Sequence, residues 1–144
     1  MLWGFKTVAS IDIWTLEHFL SGISIGMLVM SINSKLMLKH FNVSSEKIRT
    51  SHFDIVAVLL LAYLWETLEH YLETGLAGAT VEYWLQGVEF WANRLIFDPL
   101  VTVVGYYLAK SYPILVNPAR AMSLLWLIVH IFVFPHSMYL HEIF

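Results

Sequence analysis

The stretch AYLWETLEHYLETG, residues 62–75, carries Glu66, Glu69, His70 and Glu73 within about two helical turns. Carboxylates and imidazoles hold divalent transition metals such as zinc, iron or manganese, and they also pass protons as general acids and bases. Elsewhere the chain offers His18, Glu89, Asn93, Arg94 and Asp98. From these residues Glu66 and Asp98 are the candidate catalytic acids. His18, Glu66 and His70 are the candidate metal ligands, with a divalent transition metal as the candidate cofactor. Tyr63, Glu69, Glu89, Asn93 and Arg94 complete a ligand-binding or structural polar cluster.

Spacing sorts these groups. Tyr63, Glu66, His70 and Glu73 recur at three and four residues, so they form one stripe on a helix, with Glu69 on a slightly rotated line. His18, Gly22 and Gly26 stack at intervals of four, and small residues at that spacing let another helix approach closely. His18 then points toward a neighbouring helix, where Glu66 or His70 could meet it. Arg94 and Asp98 are four apart and read as an ion pair; Glu89 and Asn93 read as a second pair. Asp12 fits an N-terminal charge favoured by the helix dipole. Glu73, Glu82 and Glu142 lie at segment ends and are expected simply to reach water.

The elements that carry these residues are unusually apolar. The chain has 144 residues, is 58% hydrophobic and 13% charged, and has a mean hydropathy of +0.67. A soluble domain carries about a quarter charged residues, so the deficit points to a bilayer. Four segments can cross a hydrocarbon core as helices: about 11–32, 53–73, 88–110 and 118–134. The expected fold is therefore all-α: one polytopic membrane domain, a bundle of four transmembrane helices, with an amphipathic interfacial tail at 135–144. Asp98-Pro99 can be a kink or the start of a fresh helix, which would break the third span. Asn117 and Pro118 read as the start of the fourth.

Basic residues orient the spans. Lys35, Lys39, Lys47 and Arg49 lie between the first two, and Lys110 and Arg120 flank the third connection, against Lys6 on the other side, with Arg94 inside the third span set aside. That bias makes both loops cytoplasmic and both termini extracytoplasmic. Nine of the 11 acids then fall on the outer side, with Glu46 and Asp54 inside. His18, His70, His130, His136 and His141 follow them outward. At such depth an unpaired charge costs at least about 2.5–3.5 kcal/mol, so Glu66, well inside its span, needs a partner.

Several function classes fall away. The absence of cysteine removes disulfides and thiolate metal sites, and a net charge of −3 argues against nucleic acid as a partner. Neither G-x-S-x-G nor a phosphate-loop or dinucleotide signature occurs.

The series Trp65-Glu66-x-x-Glu69, Gly87-x-Glu89, Asn93, Asp98 and Gly105-Tyr106-Tyr107-Leu108-Ala109, with His18-x-x-x-Gly22, resembles a group of uncharacterised small bacterial inner-membrane proteins. More distantly it is similar to the VanZ-like proteins, which carry an acid in one span and an acid-Asn-Gly series in the next. In the group the acid before the Asn is usually Asp, where this chain has Glu89, and the Asn-to-Asp spacing is one residue shorter than Asn93 to Asp98. The resemblance implies a four-span protein of the bacterial inner membrane and implies no reaction. Three functions compete: a metal or lipid-type ligand site at the outer leaflet, able to act as acid and base; a non-enzymatic subunit or assembly factor of a larger membrane complex, or a homo-oligomer, with the cluster as interhelical glue; and a proton or ion transporter. Membrane lipids are partners in all three.

Overall fold

A computed structural model describes residues 1–41, 52–85, 87–129 and 132. Among them the regular elements are helical: α1 Trp14–Phe41, α2 Phe53–Glu73, α3 Ala79–Leu85, a π-helical turn Asn93–Phe97 that runs into α4 Asp98–Ser111, and a 3-10 turn Pro113–Leu115 that opens α5 Val116–Ile128. Lys47, Arg49, Glu46, His130, His136, His141, Glu142 and the tail 135–144 lie outside the described residues.

Local chemistry sets the helix ends. The Asp12 carboxylate accepts from the backbone N–H of Trp14 (2.7 Å) and Thr15 (3.2 Å), while the Thr15 hydroxyl accepts from the Asp12 N–H (3.1 Å). This reciprocal cap starts α1 at Trp14, later than residue 11, and the helix runs well past residue 32. The second expected span, 53–73, coincides with α2. Thr74 and Gly75 close α2, with Gly75 at φ 77°, a conformation glycine adopts without strain.

The third helix is not broken at Asp98-Pro99. Pro99 has no N–H to offer and its ring crowds the carbonyl four residues back, Leu95. The helix widens through Asn93–Phe97, with the Asp98 N–H bonding to the Asn93 carbonyl, five residues back. The Tyr63 hydroxyl donates to the Leu95 carbonyl at 3.0 Å. The sharp bend comes after Ser111, where Pro113 redirects the chain by 116° into α5. Asn117 and Pro118 therefore sit inside the first turn of α5, and Pro113, with its preset φ, takes the starting role.

Contacts fix the helix directions. Asn33 meets Asp54 and His18 meets Glu66, so α1 and α2 are antiparallel. His18 meets Asp98 and Gly26 meets Tyr106, so α1 and α4 are parallel. Glu17 meets Ser123 and Ser24 meets Arg120, so α5 runs back along α1. Apolar packing is modest: Ile23, Ala109, Val116 and Ala119 form one cluster, and Val29, Val58 and Tyr106 another.

The surface inverts the usual arrangement. On α2 the ridge Val56, Leu60, Leu64 and Leu68 is exposed, while Asp54, Glu66, Glu69 and Glu73 are buried. An isolated apolar ridge of this length in water would drive association, and lipid is its natural solvent. Two helices, Trp14–His40 and Phe53–Glu73, are long and apolar enough to cross a membrane; the bent pair Asn93–Ser111 and Pro113–Ile128 makes a third if it is one span.

Candidate metal centre between α1, α2 and α4

Close approach of α1 and α4 builds the site. A Cβ on Gly22 would lie 2.2 Å from the Thr102 carbonyl oxygen, and one on Gly105 would lie 2.5 Å from that of Phe19. No side chain larger than hydrogen fits this crossing. The contact brings the His18 line of α1 against the Asp98–Thr102 line of α4, and the Thr102 hydroxyl donates to the carbonyls of Asp98 (2.8 Å) and His18 (3.3 Å).

His18 stands between two acids. Its Nδ1 is 3.4 Å from a Glu66 oxygen and its Nε2 is 3.4 Å from an Asp98 oxygen. A neutral imidazole carries one N–H, so it cannot donate to both. Glu66 is 1% and Asp98 0% exposed, yet no oxygen of either has a hydrogen-bond partner of good geometry. Buried polar atoms are nearly always satisfied, so four orphaned carboxylate oxygens in one place call for an explanation. One oxygen of Glu89 shares their condition; its other oxygen accepts from the Asn93 amide at 2.7 Å. Asn93 is held in turn by the Thr15 hydroxyl at 3.4 Å, which ties the α1 cap to the site.

The ligating atoms converge in two sets. Those of His18, Glu66 and Glu69 lie within 4.8 Å of one another, and so do those of Glu66, Glu89 and Asp98. Imidazole plus carboxylate donors suit zinc, iron or manganese.

Some expected members lie elsewhere. His70 is half-exposed and its Nδ1 meets the Arg94 guanidinium, so Glu69 takes the place expected for His70 beside His18 and Glu66. Tyr63 faces outward and serves the π-helical turn. The reason is helical phase. At about 100° per residue, Asp54, Val58, Ala62, Glu66, Glu69 and Glu73 fall within an arc of roughly 120°, and Tyr63 and His70 lie roughly 100° from its centre. Arg94 and Asp98 do not pair among the described residues, because the wider turn between them shifts the four-residue register.

Glu73 is the largest departure. It does not reach water: it is 1% exposed and pairs with Lys6, itself 1% exposed and 3.9 Å from Glu69. The other Glu73 oxygen accepts from the Glu89 N–H at 3.1 Å, and the Lys6 carbonyl accepts from the Phe90 N–H at 2.7 Å. The N-terminal segment thus seats a lysine at the rim of the acidic cluster. Spacing along α2 gives no hint of Lys6; the α2 buried line, extended one step, does contain Glu73. Glu17, read only as an outer acid, is buried against α5 and accepts from Ser21 and Ser123.

No family model, no curated protein and no solved structure matches the chain.

Proposed function

We propose that this is a four-span membrane protein of the bacterial inner-membrane type, with both termini outside, that binds a divalent transition metal through His18, Glu66, Glu69, Glu89 and Asp98. The observation that carries the metal reading is the set of orphaned, buried oxygens on Glu66 and Asp98, converging with His18. An ion satisfies such oxygens without needing donors, and it offsets charge that the surrounding low-dielectric packing leaves uncompensated. Burial of the ligating atoms favours a bare ion over a lipid headgroup. Bound there, the metal would supply Lewis-acid chemistry. The up-down-up-down order of α1, α2, α4 and α5 and the basic residues at the loops support the topology. The motif resemblance to small inner-membrane proteins supports the location.

The test is metal content of the detergent-purified chain after growth with mixed transition metals, beside Glu66→Gln. Stoichiometric metal in the wild type that is lost in the variant is expected. A metal-free wild type that does not take up zinc, iron or manganese on titration leaves the cluster as a polar plug between helices.

A further inference from the structure

We infer that the site holds two cations, with Glu66 as the carboxylate they share. This rests on the metal reading above and goes beyond it. The two convergent sets have Glu66 in common: His18 and Glu69 complete one, Glu89 and Asp98 the other. Glu66 has two oxygens, and neither is engaged in a hydrogen bond. His18 and Glu69 come from α1 and α2, whereas Glu89 and Asp98 come from the segment entering α4 and from α4 itself; His18, 3.4 Å from both Glu66 and Asp98, stands where the two sets meet.

Charge points the same way. Lys6 pairs with Glu73, and Asp12 is spent on the α1 cap. Glu66, Glu69, Glu89 and Asp98 remain, with Lys6 3.9 Å from Glu69 and the His18 imidazole 3.4 Å from Glu66 and Asp98. Four carboxylates can accommodate two divalent ions. A single ion would leave net negative charge buried among helices, where it is expensive.

The experiment uses the full chain in detergent, stripped with chelator and titrated with Mn²⁺ under equilibrium dialysis, read by elemental analysis and electron paramagnetic resonance. The wild type is expected to take up two ions per chain and to show an exchange-coupled signal. Glu69→Gln and Glu89→Gln are each expected to hold one ion with an uncoupled signal, and Glu66→Gln to lose at least tenfold in affinity for both. Uptake of one ion by the wild type, uncoupled, overturns the shared centre and leaves the single-metal reading intact. No uptake overturns both. If Glu66→Gln does not fold, the wild-type signal and the two flanking variants decide the question.

Discussion

Asp54 and Asp98 are both buried carboxylates in contact with α1, and they are treated very differently. Asp54, in the first turn of α2, has a donor for each oxygen: the Asn33 amide at 2.7 Å and the Tyr106 hydroxyl at 3.3 Å. Asp98, against the other end of α1, makes no hydrogen bond of good geometry, nor does Glu66 beside it. The same helices thus provide a finished hydrogen-bonded clamp at one end and an acid-rich cluster short of hydrogen bonds at the other. The clamp explains itself as structure. The acidic cluster as it stands is costly, and a cation would remove that cost.

The contrast can be broken most severely at the rim. Lys6→Met strips the cation from Glu73 and Glu69 and is expected to lower unfolding free energy by about 3–5 kcal/mol, since it leaves a buried charge unmatched; thermal unfolding in detergent would show it. Next comes chelation. Removing metal from the wild type should cost about 2.7 kcal/mol relative to protein held at a hundredfold excess over Kd, and Glu66→Gln should show no such difference. An equal response in both proteins would erase the proposed distinction between the two ends.

Gly22→Ala puts a methyl where the Thr102 carbonyl lies 2.2 Å away. It should cost about 1–3 kcal/mol through overpacking. Because it pushes His18 away from Asp98, it should also weaken the proposed metal binding. Tyr106→Phe removes one donor from Asp54 and should cost about 1 kcal/mol while leaving metal uptake unchanged; uptake that fell with it would mean the two ends are coupled. The smallest effect is expected from Glu66→Gln in metal-free protein, within about 1 kcal/mol of the wild type, because no hydrogen bond of Glu66 is lost.

Much of this arrangement is legible in local spacing. The bounds of α2, the small-residue line below His18, and the approach of His18 to Glu66 all follow from period and polarity, because a helix in lipid must turn its charges toward its neighbours. The Glu89–Asn93 bond is likewise a one-turn contact. Phase is harder. Choosing Glu69 over His70 requires knowing the centre of the buried face, and Glu66 alone leaves that ambiguous by one residue. The π-helical turn defeats four-residue arithmetic across Arg94 and Asp98, since its register is set by the conflict between Pro99 and the Leu95 carbonyl.

The sequence by itself determined that charge is scarce, that it is concentrated toward one side of long apolar helices, and that carboxylates and a histidine recur there at helical intervals. Those are properties of composition and period. Tertiary structure decided which of them meet. Lys6 and Glu73 are 67 positions apart, and no periodicity relates them; they pair because the N-terminal segment folds over the end of α2. Gly22 and Gly105 let two backbones touch, and that contact, not the spacing of the acids, carries Asp98 to His18 and Glu66.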